Sequence, residues 1–308
     1  MKEKNFISAV VYVRNEESKI QSFIMDLNKT LKAHFLKYEI ILVNDGSVDN
    51  SIFKIKEVSS KVDGSLSIIN MGHYQGKELS MNAGTDLAIG DFVYEFDSIN
   101  IDYPLEFIFD VYKKALEGYD IVSASSNLKR NFTSKLFYKI FNKYSNYEYK
   151  IDTETFRIMS RRAINRIHQI NKTIPYRKAV LANSGLKMFK FKYDVIQNTR
   201  KTFDKNDKFE RKNNAFDSLI LFTDVSYKVT MFLILIFIAL TLFVFGYTVY
   251  NFVTNNSIKG WTTTMLFLCF GFLGLFTILL IVIKYLSVII NLIFKKTNYL
   301  VESIEKLN

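Results

Sequence analysis

Two apolar runs without a charge, Val229 to Tyr250 and Gly260 to Ile283, constrain this chain more than any other feature. They hold 22 and 24 residues and are separated by nine. As helices, both are long enough to cross about 30 Å of hydrocarbon, so the pair reads as a transmembrane hairpin. Tyr227, Tyr247, Tyr250, Trp261 and Tyr299 flank the runs at headgroup level. Lys259 is the one cation between them, whereas Arg211, Lys212 and Lys228 precede the first and Lys295 and Lys296 follow the second. That bias predicts a multi-pass protein of the inner (plasma) membrane with both ends and the preceding domain cytoplasmic. A net charge of +11 then fits an anionic lipid surface, with no need of nucleic acid as a partner.

The remainder divides accordingly. Residues 1–213 read as a mixed, charged α/β domain. Residues 214–228 place Phe216, Leu219, Ile220 and Tyr227 on one face of an interfacial amphipathic helix, and 229–308 hold the hairpin and a short tail. Cys269 is the single cysteine, which excludes a disulfide framework or cysteine metal site, and His34, His73 and His168 show no zinc spacing.

Along the first domain, strand-like runs alternate with helical periodicity. FISAVVYV (6–13), YEIILV (38–43), SLSIIN (65–70) and FVYEFD (92–97) are strands. Ile20, Phe23, Ile24, Leu27 and Leu31 have helical spacing, and 76–89, 104–116 and 161–170 also read as helices. DIVSAS and DTETFRIMS (152–160) add strands later. Such alternation predicts a largely parallel sheet whose ligand crevice lies beyond the carboxyl ends of the strands. Asn15, Asp45 and Asp97 each follow a different strand, so the fold would gather them at one rim.

Several segments, in this order, carry a resemblance: VVYVRNEE (10–17), VNDGSVDNS (43–51), NMGHYQGKELSMNAG (70–84), GDFVYEFDSINIDYPLE (90–106), TSKLFYKIFN (133–142) and FRIMSRR (156–162). Together with the apolar pair, the chain resembles inverting family 2 glycosyltransferases of the polyprenyl-phosphate group, similar to bactoprenol glucosyltransferases and dolichyl-phosphate mannose synthases. The resemblance implies a GT-A domain, a nucleotide-diphosphate sugar donor (UDP-linked), a Mg²⁺ or Mn²⁺ ion, and transfer to a polyprenyl phosphate such as undecaprenyl phosphate at the cytoplasmic membrane face. Asn15, Glu16, Asp45, Asp49 and Gly76 would hold the nucleotide. Lys77, Asp97 and Arg157 would serve the reacting phosphates, with Asp97 and Asp102 as metal-facing acids.

Three departures sit at the reacting end. Ile99 replaces the usual second acid, Thr155 stands where an acid normally precedes FR, and the family's later arginines reduce to Arg200, Lys201 and Lys205. Strand alternation would turn Glu154 away from the face of Thr155. The alternatives are a non-catalytic nucleotide- or lipid-binding assembly protein derived from such an enzyme, or a transferase with another membrane acceptor. The oligomeric state stays open, and the departures leave metal dependence open as well.

Overall fold

The computed structural model describes residues 2–128, 132–145, 149–170, 177–182, 184–196, scattered positions between 213 and 243, 261–294, and 299–308. Its strands are β1 (Ile7–Val13), β2 (Tyr38–Asn44), β3 (Ser65–Met71), β4 (Phe92–Phe96), β5 (Ile121–Ser126), β6 (Phe156–Ser160), β7 (Met188–Tyr193) and β8 (Val301–Lys306). They form one sheet in the order β7-β5-β6-β4-β1-β2-β3-β8. The β4-β1-β2-β3 centre is parallel, as the alternation predicts. Beyond it the sheet is mixed: β6 runs antiparallel to β4 and β5, and β8 antiparallel to β3. β7 and β8 lie outside the strands predicted from the sequence.

Every residue of β1 is buried, which is why it reads as a near-continuous apolar run. Helix α1 (Ile20–His34) buries the residues whose spacing predicts it, and α2 (Ser51–Val58), α3 (Lys77–Leu87) and α4 (Phe107–Leu116) follow their strands in turn. Helices α5 (Phe132–Tyr144), α6 (Arg161–Ile170) and α7 (Arg177–Ala182) complete this part.

Helix α3 packs close against the sheet because its inner face is made of small residues. Ser80, Ala83 and Gly84 are all buried, and a Cβ on Gly84 would strike the γ-methyls of Val10 and Val43. Both valines are stiff at χ1, so neither yields easily. Gly84→Ala is therefore expected to destabilise by about 1–3 kcal/mol through overpacking. That outweighs the gain of about 1 kcal/mol in helix propensity. Thermal or denaturant unfolding checks the sign.

The chain divides into two compact units. One comprises Met1–Asn142, Tyr147–Asn214 and Lys296–Asn308, and so contains the sheet; the other comprises Lys143–Asn146 and Ala215–Lys295. The second holds helix α8 (Trp261–Phe294).

Here the sequence expectation is corrected. Among the described residues no helix is long and apolar enough to cross a membrane. Length and missing charge are the sequence signal for a span, but they do not by themselves establish a helix that crosses. The run 229–250 is described only at scattered positions, and α8 at only part of its side chains. The transmembrane hairpin is overturned on that finding. With it go the multi-pass inner-membrane localisation and the mechanism anchored at a membrane face. The interfacial helix is likewise described only at scattered positions, and Arg200, Lys201, Lys205, Arg211 and Lys212 lie outside the described residues.

Candidate active site

Parallel pairing in register brings the ends of β1, β2 and β4 to one rim: Val13 pairs with Asn44, and Val11 with both Leu42 and Phe96. Asn15, Asp45 and Asp97 leave from these ends, so the predicted convergence is present in the fold.

The two loops after β1 and β2 are knitted together. Asn15 adopts a left-handed conformation (φ +50°), tolerable for asparagine because its short side chain bonds locally. Its Oδ1 accepts from the Val48 amide at 2.9 Å, and its own amide donates to Ser47 Oγ at 3.1 Å. The Glu16 amide donates to Ser51 Oγ at 2.8 Å. Asp49 accepts from the Glu17 amide at 3.0 Å and from the Ser51 amide at 3.0 Å, so it ties the first loop to the start of α2.

Asp45 is fully buried. Its carboxylate accepts from the Gln75 amide at 2.8 Å, the Gly76 amide at 3.0 Å and the Tyr12 hydroxyl at 2.9 Å. These three bonds bind the β3–α3 loop to the end of β2. Two glycines make the approach feasible. Gly46 (φ +62°) passes the Tyr74 amide with only 3.0 Å for a Cβ, and Gly76 (φ +88°) turns the chain into α3. Above the loop, the Arg14 guanidinium stacks 3.5 Å from the Tyr74 ring centroid.

The turn at Gly76 aims Lys77 at Asp97, with Nζ 2.8 Å from Oδ2. Arg157, on β6, approaches the other carboxylate oxygen at 3.7 Å. Burial alone would raise the Asp97 carboxyl, but Lys77, Arg157 and Lys178 outweigh it and hold the group well below the usual carboxylate range. Burial would likewise lower the Lys178 ammonium, yet Tyr138, Glu154 and Asp97 raise it overall. At the rim Asp97 is thus met by Lys77 and Arg157.

Beneath it lies a buried ionic layer. Glu95, on β4, has no exposed surface. Its Oε1 accepts from Thr85 Oγ1 at 2.8 Å and from Arg177, and its Oε2 faces Arg157 Nε at 3.5 Å. Arg177 also donates to Asn82 and, through its amide, to Glu78 at 3.0 Å, joining α7 to α3. Glu154 and Thr155 take different partners, Thr155 meeting Tyr193 and Glu154 meeting Arg157. Strand β6 starts only at Phe156, so alternation does not govern residue 154. Its side chain is 4% exposed and sits 3.4 Å from Arg157 Nε.

Glu95, Glu154, Arg177 and Lys178 were not among the predicted site residues. Glu95 left a readable signal, an acid between two aromatics in a strand buried on both faces; the others depend on tertiary packing.

Asp102 does not join Asp97 in this arrangement. It accepts from Tyr193 Oη at 2.7 Å, and Tyr193 in turn meets Thr155 Oγ1 at 2.5 Å. Burial raises the Asp102 carboxyl, and the Tyr193 hydroxyl only partly offsets this. Ile99, at the usual place of a second acid, is buried in the core. Among the described residues no group of three His, Cys, Asp or Glu is disposed to hold a metal ion. Asp97, already paired with Lys77 and Arg157, does not by itself make a divalent-cation cage.

Residues 8–183 match the model of glycosyl transferase family 2. This chain belongs to glycosyl transferase family 2. Among its relatives is an uncharacterized glycosyltransferase of Synechocystis, 28% identical over 74% of this chain and 72% of that protein. The bactoprenol glucosyl transferase of Shigella phage SfV is 28% identical over 86% of this chain and 87% of its own. The uncharacterized glycosyltransferase YkcC of Bacillus subtilis, 28% identical, aligns over 60% of this chain and 59% of its own length.

The same fold recurs in a mannosyltransferase of Pyrobaculum calidifontis solved with GDP-Man and Mn²⁺. The TM-score is 0.51 at 14% identity, over 71% of this chain and 65% of that one. It recurs also in glucosyl-3-phosphoglycerate synthase of Mycobacterium tuberculosis, solved with Mn²⁺, UDP-glucose and phosphoglyceric acid. There the TM-score is 0.52 at 14% identity, over 70% and 79%. This family 2 glycosyltransferase thus has a GT-A-like α/β core of a kind seen with nucleotide sugars and Mn²⁺ in those proteins.

Proposed function

We propose that the rim formed by the Asp45-bound loop, Lys77, Asp97 and Arg157 binds a nucleotide-diphosphate sugar, UDP-linked by resemblance, and transfers its sugar to a phosphate-bearing acceptor. The observation that carries this reading is the ion cluster. Lys77 and Arg157 meet at Asp97, and Lys178 adds its charge there. That set complements a pyrophosphate whose charge grows as the anomeric bond breaks. Asn15, Glu16, Asp49 and Gly76 shape the nucleotide side, and Asp45 acts there by holding the Gln75 and Gly76 amides.

The acceptor follows from charge and from kinship. A phosphate is already ionised near neutral pH, with a second pKa of about 6, and attacks the anomeric carbon with inversion without a dedicated base. The relatives named bactoprenol glucosyl transferases support a polyprenyl phosphate in that place. No membrane placement is part of this reading. We take 1–213 as the transferase domain.

The test incubates purified full-length protein with undecaprenyl phosphate in detergent and a panel of UDP-, GDP- and CDP-sugars, with and without Mg²⁺ or Mn²⁺. Mass spectrometry is expected to find a glycosylated lipid phosphate from one donor. Absence of product from every donor, in protein shown to bind a nucleoside diphosphate, overturns the acceptor and favours the non-catalytic alternative.

A further inference from the structure

Strand β8 touches the edge of the sheet far from Asp97 in sequence, yet its first contacts are with the loop and helix that present Lys77. Gln75 and the Leu300 peptide form a closed pair: Gln75 Nε2 donates to Leu300 O at 2.6 Å, and the Leu300 amide donates to Gln75 Oε1 at 2.8 Å. Leu300 O also accepts from the Gly72 amide at 3.0 Å. One residue earlier, Tyr299 Oη donates to Asp86 Oδ2 at 2.7 Å, and Asp86 Oδ1 lies 2.9 Å from His168 Nε2.

Two consecutive residues therefore hold both ends of α3. Leu300 fixes the residue two places before Lys77, and Tyr299 fixes the last turn. On its other side the same loop is fixed by Asp45 through the Gln75 and Gly76 amides. The ladder between β3 and β8 shifts register between Asn70 and Met71, where β3 gives way to this loop.

We infer that β8 is a working part of the donor site, with Gln75 and Tyr299 as positioning residues that set the Lys77 helix through the Tyr299–Leu300 segment. The inference rests on the reading of this rim as a nucleotide-sugar site.

Attachment of β8 does not need Gln75. Asn308 holds the far end through the Leu66 amide at 2.6 Å and the carbonyls of Val62 and Gly64 at 3.0 Å each. Midway, Asn70 donates to Ser303 and Glu305, and Lys56 pairs with Glu305 at 2.6 Å. With the strand secured by these, the Gln75 bonds constrain the loop. An ammonium aimed at a pyrophosphate is sensitive to such constraint, because a displaced charge loses most of its interaction with the ligand.

The experiment compares Gln75→Ala, Tyr299→Phe and Asn308→Ala with the parental full-length protein, by UDP titration calorimetry, steady-state transfer and thermal melting. Gln75→Ala is expected to raise the UDP Kd and the donor KM by about tenfold, the size of two lost hydrogen bonds, with kcat within about twofold. Tyr299→Phe is expected to raise both by about threefold. Asn308→Ala should lower Tm while leaving the UDP Kd at the parental value. Parental Kd and KM in Gln75→Ala overturn the inference, as does an equal rise in Asn308→Ala, which would mark general loosening. Failure of the parental protein to bind any nucleoside diphosphate overturns the donor-site reading, and this inference with it.

Discussion

Asp97→Ala is expected to lower transfer by about 10²–10³-fold, the range seen when one preorganised electrostatic group leaves an active site. Its affinity for free UDP should hold or tighten. The carboxylate is the counter-ion of Lys77 at 2.8 Å and of Arg157 at 3.7 Å. Removing it makes the corner more cationic, which favours a pyrophosphate, but frees Lys77 from the carboxylate that orients it.

Single-turnover transfer and UDP calorimetry separate the two effects. A parental rate would remove Asp97 from the mechanism. An affinity lost only in the presence of Mg²⁺ would make it a metal ligand. Acid pH does not mimic the substitution. The depressed carboxyl contributes in full above its unfolded pKa of about 3.9 and loses its contribution only as pH falls through the lower folded value. The site therefore keeps its charge across the neutral range.

What the sequence reveals of this site is its outline. β1, β2 and β4 are legible because strands buried on both faces are continuous apolar runs, and a polar residue after each marks the rim. The direction of a side chain after the strand ends is not legible. Asp45 has the sequence of a ligand-facing turn residue, yet it turns inward to bond two amides and Tyr12. Nor is the contact of Glu154 with Arg157 legible from strand alternation, since β6 begins two residues later.

Strand β8 was missed for a related reason. Val301–Lys306 is short and mostly polar, with exposed residues alternating along it, and it becomes a strand only by pairing with β3 over 230 residues away in sequence. The apolar runs misled in the other direction. Their length and lack of charge predict a hairpin, and among the described residues no helix meets the requirement for a span.

The largest effect on stability is expected at Glu95. Its carboxylate lies between the Arg157 and Arg177 guanidiniums, with Arg157 and Arg177 themselves 3% and 7% exposed. Glu95→Gln preserves shape and the Thr85 contact but leaves two buried cations facing an amide. Breaking one partner of a buried ionic group costs about 3–5 kcal/mol. For a domain of this size, that corresponds to a Tm lower by roughly 10 °C.

Adding Arg177→Met to Glu95→Gln should recover part of the loss, because the penalty comes from the stranded charge and not from a missing contact; a double-mutant cycle measures this coupling. An unchanged Tm in the single variant would mean that water reaches the guanidiniums, and the layer beneath Asp97 would not be a dry ionic core. Glu95 also bears on transfer. It flanks Arg157 Nε on one side, with Glu154 on the other, while Nη2 of the same guanidinium faces Asp97. Loss of Glu95 should therefore lower kcat as well as Tm, linking the buried ion layer to the charge at the rim through one arginine.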